Sequence, residues 1–351
     1  MSDNIVIETA ERIFADLADA QAINGAANAG WQAPLWAALS EAGLPLAWVP
    51  EELGGAGADL ADGFGVASAA GRFAIPMPLV ETMLAGWLLA RAGLASPDGV
   101  MTVAPARPQD RITLDADGTL SGRARGVPFA REAQHIAVIA RGADGFAVAL
   151  VPASACRLTR GENLAGDAAD TVTFDKTRPT AVKPAPSDLT PAALMQMGAA
   201  LRSLQIAGAL ETLLALSVRY ANERVAFEKP IAKFQAVQHN LAKLAGEVAA
   251  AVTAAGSAAD ALANGAPDDA LLLEVASAKI RCAEAAEKGA AIAHQVHGAI
   301  GFSREHILHR YSLRALGWRD DFGVESFWAA ELGRFVAARG ADELWPLVAS
   351  R

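Results

Sequence analysis

The sequence predicts a mainly α-helical protein with a small central β domain. Hydrophobic residues make up 52% of the 351 residues and charged residues 20%, as in a well-packed globular protein. Alanine is abundant between residues 193 and 263, which favours long helices. Apolar residues recur with helical spacing at both ends of the chain and with strand spacing only in between. These observations indicate domains at 1–100, 101–185 and 191–351.

The charge and cysteine content exclude several classes of function. The net charge of −9 and the lack of a basic cluster argue against a nucleic-acid partner. Cys156 and Cys282 stand far apart, so we expect neither a disulfide framework nor a metal site. No signal peptide is visible, and no apolar run reaches the roughly 18 residues that span a bilayer. The sequence therefore predicts a soluble cytoplasmic protein without a membrane partner.

The first segment is predicted to be helical and to contain one glycine-rich loop. Helical patterns cover residues 31–39, 60–72 and 79–94, with breaks near Gly43 and at residues 76–78. The loop at residues 50–57 is an ordinary turn when taken alone.

The middle segment is predicted to form five or six antiparallel strands. Short β-rich runs occur at residues 112–114, 135–140, 146–151 and 172–174, and Gly, Asp and Pro separate them. A proline-rich linker follows at 179–191. The sheet is too small for a doubly wound fold.

The last segment is predicted to be a four-helix bundle. Long helical patterns cover residues 193–224, 234–252 and 271–299, and short connections between them favour antiparallel packing. Alanine-rich faces permit close contact within the chain or with another subunit.

Two segments of this bundle carry candidate chemistry. In residues 224–238 a helix is expected to end near Arg224, beside a loop at Pro230, and a new helix starts near Phe234. A guanidinium next to helix N–H groups suits a pyrophosphate, although an ordinary surface Arg explains the pattern equally. In residues 295–302, Gly298 and Gly301 allow close approach of a ligand, or simply cap a helix.

Three motifs in this order resemble the acyl-CoA dehydrogenase family. They are VPEELGGAG at residues 49–57, RVAFEKPIAKFQ at 224–235 and QVHGAIGF at 295–302. The similarity covers nearly the whole chain, and the order helix, strand, helix agrees with that family. The resemblance implies an N-terminal helical domain, a β-barrel-like middle domain and a C-terminal four-helix bundle.

The resemblance also implies that the cofactor is FAD. In the family, matching residues contact the pyrophosphate and adenine half of FAD across a dimer interface. The cofactor-contacting residues carried over to this chain are Arg224, Phe227, Gln235, Gln295, Gly298 and Ala299. We therefore expect at least a dimer, and a homo- or hetero-tetramer with a homologous subunit is usual in the family.

The implied reaction is α,β-desaturation of an acyl-CoA, in fatty acid or steroid side-chain β-oxidation. A carboxylate removes the α-proton while the β-hydride passes to the flavin, and electrons leave to an electron-transfer flavoprotein. Hydrogen bonds to the thioester carbonyl and an apolar cleft are needed because the α-proton is weakly acidic.

The sequence departs from the family at the two places that perform this chemistry. The Thr-Glu-Pro-x-x-(Gly)-Ser-Asp motif, which holds the flavin ring and thioester, is replaced by MTVAPARPQD at residues 101–110. The expected base position falls on Phe322, or on Arg319 when counted without gaps from Arg310. A second family position for the base falls near Gly198. None of these is a carboxylate.

Three nearby carboxylates remain as candidate bases. Asp321 is the first choice, with Asp320 and Glu325 as alternatives, although the two Asp residues could equally be a solvated pair capping the next helix. Some bacterial members of the family pair two half-equipped subunits. The sequence therefore leaves three hypotheses: a dehydrogenase subunit, a non-catalytic partner that completes the FAD site, or a related flavin-dependent oxidation.

Overall fold

The N-terminal segment is a group of five helices around a shared apolar core. The computed structural model describes residues 5–26 and 29–349 of the chain. The helices are α1 (Ile5–Leu17), α2 (Ala20–Gly25), α3 (Gln32–Glu41), α4 (Leu60–Arg72) and α5 (Leu79–Arg91). Helix α5 is buried along nearly its whole length because it lies between the rest of this segment and the β domain.

The middle segment has eight strands in one mixed sheet. The strands are β1 (Met101–Ala104), β2 (Arg111–Leu114), β3 (Leu120–Pro128), β4 (His135–Gly142), β5 (Gly145–Pro152), β6 (Arg157–Thr159), β7 (Ala169–Thr177) and β8 (Ala181–Pro184). They follow the order β6-β7-β3-β2-β4-β5-β8, and β1 pairs with β4.

Two details of the predicted β domain were wrong. The sequence predicted five or six strands, all antiparallel, whereas β1 and β2 both run parallel to β4. Strands β1, β6 and β8 have only three or four residues each, too few to give a clear alternating pattern. Parallel pairing is set by the chain path between distant strands, which local patterns do not encode.

The C-terminal segment is a bundle built on three long helices. They are α6 (Pro191–Glu223), α7 (Gln235–Ala263) and α8 (Asp268–His297). A small hairpin, β9 (Val225–Ala226) and β10 (Lys229–Pro230), joins α6 to α7. Helices α9 (Leu308–Trp318), α10 (Glu325–Arg339) and α11 (Leu344–Ala349) follow, and α9 completes the four-helix bundle against α6 and α8. The predicted fold class is therefore confirmed.

Helix α6 is the central helix of the whole protein. It is apolar and long enough to cross a membrane by length and composition, but 78% of that window is buried inside the protein. The expectation that no segment is this apolar was wrong for α6, because a core helix in contact with partners on all sides is also apolar all round. Gly71 of α4 and Gly208 of α6 let these two helices pack closely, since a β-carbon at either position would overlap the backbone of the other helix.

Candidate active site

The end of the bundle that carries Arg224 also carries residues 295–302. Helices α6 and α8 run in the same direction and α7 runs antiparallel to both, so the C-terminal ends of α6 and α8 lie side by side. Tyr220, in the last turn of α6, stacks on His297, in the last turn of α8, with ring centroids 4.5 Å apart. We call residues 224–235 and 295–302 together the cofactor end.

The hairpin at the cofactor end presents an exposed aromatic ring. Its two-residue turn, Phe227–Glu228, has φ of 52° and 67°, as in a type I′ turn. Positive φ is costly for a bulky residue such as Phe. Phe227 is 89% exposed, and its ring is perpendicular to the Phe234 ring, with the two ring centroids 6.2 Å apart. A strained and exposed Phe gains little from packing within its own chain, which is typical of a residue that contacts a ligand or another subunit.

The other predicted cofactor residues are also on the surface here. Arg224, Gln235, Gln295, Gly298 and Ala299 are all exposed. Gln235 is the first residue of α7, where backbone N–H groups lack helical partners. Gly298 ends α8 with φ 64° and ψ −144°, a conformation that is essentially restricted to glycine.

The cofactor end therefore has the groups that a dinucleotide needs. A guanidinium, the free N–H groups of a helix N-terminus and an exposed aromatic ring suit a diphosphate and an adenine. All six of the predicted residues face outwards at one end of the bundle. These residues fit the adenosine diphosphate half of a dinucleotide such as FAD.

The position expected for the catalytic base is filled by an aromatic ring. Phe322, in the loop between α9 and α10, is 2% exposed. Its ring lies directly over Gly198 of α6, so that a β-carbon added at Gly198 would overlap it. The backbone of Phe322 has φ 52°, and the indole Nε1 of Trp328 donates to its carbonyl at 3.1 Å. Two of the positions at which the sequence led us to expect the base thus pack against each other, and neither bears a carboxylate.

Asp321, the first predicted base, is held in an ion pair. Its carboxylate accepts a hydrogen bond from Nε of Arg202 at 2.9 Å, and its side chain is 11% exposed. Burial raises the pKa of Asp321, and the charges of Arg202 and Lys279 oppose that rise. The alternative interpretation, a solvated acidic pair that caps the next helix, was wrong for Asp321, because α10 begins after Val324 without a side-chain cap.

Arg202 joins Asp321 to the N-terminal helices. Its Nη2 donates to Glu81 of α5 at 2.5 Å and its Nη1 donates to Gln205 at 2.5 Å. Arg202 and Glu81 are each 2% exposed, and the guanidinium also lies 5.7 Å from the centroid of the Phe322 ring. Because the guanidinium is satisfied on three sides, it fixes α5, α6 and the α9–α10 loop relative to one another.

Lys279 of α8 completes a cluster with two positive and two negative charges. It is fully buried, and its Nζ donates to the carbonyls of Trp318 at 3.1 Å and Arg319 at 2.7 Å. Burial lowers the pKa of Lys279 to about 8. Lys279 therefore anchors the C-terminal end of α9, directly before the loop that carries Phe322.

The other two candidate bases lie in different surroundings. The Asp320 side chain is 51% exposed and lies 3.7 Å from Arg319. Glu325 is the first residue of α10 and is half-buried. Asp320 lies in the α9–α10 loop beside Asp321, whereas Glu325 lies at the start of α10 and does not line the cavity that the two Asp residues share.

A polar cavity of about 500 Å³ lies between the β domain and the α9–α10 loop. It is lined by Asp320 and Asp321 on one side and by Arg107 and Arg125 on the other. Arg107 belongs to the segment 101–110 that replaces the family's flavin-holding motif. A β-carbon added at Gly126 would lie 2.9 Å from two nitrogens of Arg107, so this guanidinium lies against the strand. The segment 101–110, which was expected to face a flavin ring, therefore brings the positive charge of Arg107 to this cavity.

A second cavity, of about 650 Å³, opens on the other side of Arg107. Arg107, Arg111 and Arg141 line it from the β domain, and Met195, Phe327 and Trp328 line it from the helices. We call it the arginine groove.

The buried charge cluster was not predicted from the sequence. Glu81 and Arg202 each stand alone in an otherwise apolar helical stretch, whereas Lys279 has Glu274 and Arg281 nearby in its helix. A single charge in an apolar helix is expensive to bury unless it is paired, so Glu81 and Arg202 each signal a partner. The partner itself could not be read from the sequence, because these residues come from three different helices.

Comparison with known proteins supports the same family. Residues 4–96 match the model for the acyl-CoA dehydrogenase N-terminal domain, and residues 191–319 match the model for the C-terminal domain. The chain is 31% identical over 344 residues to the acyl-CoA dehydrogenase IpdE2 of Mycobacterium tuberculosis, and the alignment covers 96% of each protein.

The chain belongs to the acyl-CoA dehydrogenase family. Among solved structures, it is similar to a chain of the ChsE4–ChsE5 complex from Mycobacterium tuberculosis, with a TM-score of 0.86, 24% identity and coverage of 97% of this chain and 99% of that one. It is also similar to the Tcur3481–Tcur3483 steroid ACAD G363A variant, with a TM-score of 0.80, 27% identity and coverage of 95% and 97%. The prediction of an acyl-CoA dehydrogenase-type oxidoreductase is confirmed.

Proposed function

We propose that this chain is one subunit of a heteromeric, FAD-dependent acyl-CoA dehydrogenase. Its cofactor end completes the FAD site of a homologous subunit, and that partner supplies the catalytic base. The contact of Phe322 with Gly198 carries this proposal, because it leaves no room for a carboxylate or for the acyl α-carbon at the family's two base positions. Similarity to chains from two-component complexes supports it further.

In such an assembly this chain would bind and orient the cofactor. Arg224 and the N-terminal end of α7 would hold the diphosphate, and Phe227 would cover the adenine. The flavin, when bound, accepts the β-hydride of the acyl-CoA. The buried cluster around Arg202 would keep this chain's own cleft closed, while the partner removes the α-proton. Electrons would then pass to an electron-transfer flavoprotein, in the oxidation of fatty or steroid side chains.

Co-expression with a homologous subunit tests the proposal. The chain purified alone should be colourless, whereas the assembly should carry half as many flavins as subunits and bleach when an acyl-CoA is added. A chain that is yellow and active by itself would overturn the proposal.

The alternative is a self-sufficient dehydrogenase that uses Asp321. The observation in its favour is that Asp320 and Asp321 line the 500 Å³ cavity. Asp320→Asn, Glu325→Gln and Asp321→Asn variants of this chain, each in the assembly, distinguish the two. The partner-subunit proposal expects an unchanged rate per bound flavin for all three, whereas the alternative expects one of them to abolish bleaching.

A further inference from the structure

The exposed face of the β domain carries three arginines in one row across the sheet. Arg111 of β2 lies directly opposite Arg123 of β3, and Arg123 lies directly opposite Thr173 of β7. Thr173 in turn lies directly opposite Arg157 of β6. Directly opposite residues on neighbouring strands project from the same face of a sheet, and all three arginines are exposed. We call Arg111, Arg123 and Arg157 the cross-strand row.

The cross-strand row is assembled by the fold and is not visible in the sequence. Its members lie 12 and 34 positions apart along the chain, so the sequence shows no basic cluster. Arg111 also lines the arginine groove, but Arg123 and Arg157 line neither of the two cavities. Most of the row is therefore an open surface and not a pocket.

The row carries positive charge that the chain itself does not neutralise. Like charges placed directly opposite each other on a sheet are destabilising. Arg123 and Arg157 form no ion pair and no side-chain hydrogen bond within the described part of the chain. Arg111 donates through Nη1 to two backbone carbonyls, that of Pro108 at 2.6 Å and that of Asp110 at 2.8 Å, so its charge has no carboxylate partner there.

Two carboxylates near these strands leave the row charged. Asp115, directly after β2, accepts hydrogen bonds from the hydroxyls of Ser121 at 2.5 Å and Thr113 at 3.3 Å. Asp175 of β7 is exposed and forms no ion pair with any residue that the structure describes. The fold thus maintains an unfavourable arrangement of like charges, which an anionic partner would relieve.

The dimensions of the row match a helical segment with carboxylates on one face. Neighbouring strands lie about 4.8 Å apart, so the row, which crosses three strand intervals, is about 15 Å long. A helix rises about 1.5 Å per residue, and about ten residues would therefore cover the row. Carboxylates suit guanidinium groups because each carboxylate can accept two parallel hydrogen bonds.

The same surface is poorly suited to nucleic acid or lipid. The aromatic residue of strands β2, β3, β6 and β7 is Phe174, which is 2% exposed, so these strands offer no ring on which a base could stack. None of the exposed large hydrophobic residues belongs to these four strands, so they offer nothing that inserts among acyl chains. An acidic protein surface is therefore the partner that the row fits.

We propose that the cross-strand row docks an acidic helical segment of a partner protein. Arg123 and Arg157 hold carboxylates of that helix, and the hydroxyl of Thr173 between them donates a further hydrogen bond. Binding relieves the repulsion between Arg111 and Arg123. No member of the row belongs to the cofactor end, so this inference does not depend on the proposed function.

Fluorescence anisotropy with the full chain tests the chemistry of the partner. The probe is a labelled, alanine-rich helical peptide of about fifteen residues, with glutamates at three- and four-residue steps along one face. The comparison probes are the same peptide with glutamine in place of glutamate, a short oligothymidine, and phosphatidylcholine vesicles that contain phosphatidylserine. We expect the glutamate peptide to bind more tightly than every other probe, with an affinity that falls as salt increases. No binding of this peptide, or equal or tighter binding of another probe, would overturn the proposal.

Arginine variants test the row itself. Arg123→Thr and Arg157→Thr should each weaken binding of the glutamate peptide roughly three- to tenfold, because each removes a charge-assisted contact. Threonine is a good strand former and both positions are exposed, so folding should be retained. Arg178→Thr, at an exposed arginine in the β7–β8 connection, is the matched control and should keep the full affinity. Equal affinity in the three variants would refute docking at the row.

The stability of the free chain gives an independent test. Arg123→Thr removes the repulsion with Arg111, so its midpoint of urea unfolding should equal or exceed that of Arg178→Thr. A lower midpoint for Arg123→Thr would show that Arg123 stabilises the fold, and it would contradict a role in docking.

Discussion

The ring of Phe322 lies directly over the α-carbon of Gly198, which brings together two of the positions at which the sequence led us to expect the catalytic base. Trp328 of α10 donates a hydrogen bond to the carbonyl of Phe322, the guanidinium of Arg202 of α6 lies 5.7 Å from the ring centroid, and the backbone of Phe322 has φ 52°. A residue in this conformation costs of order 1–3 kcal/mol and persists only when its surroundings hold it in place. The contact between Phe322 and Gly198 is therefore a stable feature of the fold, and substitution at Gly198 tests it directly.

A Gly198→Ala variant should be destabilised by about 1–3 kcal/mol. Its β-carbon would overlap Phe322, and overpacking of a filled core has roughly this cost. Gly246→Ala is the matched control, because Gly246 is also within a helix but has open space around it. That control should gain up to about 1 kcal/mol. Urea unfolding measures both, and equal effects would show that Phe322 does not occupy this space.

An Arg202→Met variant should lose about 3–5 kcal/mol of stability. It leaves the buried carboxylates of Glu81 and Asp321 without their cation, which is the costly way to break a buried ion pair. Arg334→Met breaks an exposed pair with Glu331 and should change stability by less than about 1 kcal/mol. If the two variants unfold at similar urea concentrations, the cluster does not hold the three helices together.

The imidazoles at the cofactor end should make the protein less stable at acidic pH. Burial lowers the pKa of His294, His297 and His306 below the usual 6.5. Below pH 6.5 the unfolded chain therefore binds protons that the folded chain does not, so stability falls as the pH decreases.

A His297→Gln variant should flatten this dependence by up to about 1.4 kcal/mol per pH unit. His297 is 3% exposed, whereas His239 is exposed, so His239→Gln serves as the control for the substitution itself. Urea unfolding at a series of pH values between 7 and 5 measures the slopes. Parallel curves for the wild type and His297→Gln would contradict the role of His297.

An Arg224→Ala variant should lower the flavin content of the co-expressed assembly at least tenfold at limiting FAD. It removes the proposed bidentate donor to the diphosphate. The Arg224 side chain makes no hydrogen bond within the part of the chain that the structure describes. The variant chain should therefore unfold like the wild type. Arg178→Ala, an exposed arginine in the β7–β8 connection, is the control. Full flavin content in both assemblies would place the diphosphate elsewhere.

Much of the fold was determined by local sequence patterns. The long helices of residues 193–224 and 271–299 were predicted to within a few residues of α6 and α8, because alanine-rich helical periodicity extends over many turns. The turn segments 224–235 and 295–302 were also recognisable, since Pro230 cannot continue a helix and Gly298 ends α8 for local steric reasons. Domain limits and individual cofactor contacts remain predictions.

The contact between Phe322 and Gly198 was decided only by the tertiary structure. The sequence alone predicted that the base positions fall on Phe322 or Arg319 and near Gly198, and it left Asp321, Asp320 and Glu325 as candidate bases. Only packing brings Phe322 onto Gly198 and Arg202 onto Asp321, across 124 and 119 positions of sequence. The burial, ion pairing and pKa of a side chain depend on which other side chains lie next to it in the folded protein. Helical periodicity predicts which face of a helix a side chain lies on, but it does not identify the residue that packs against it.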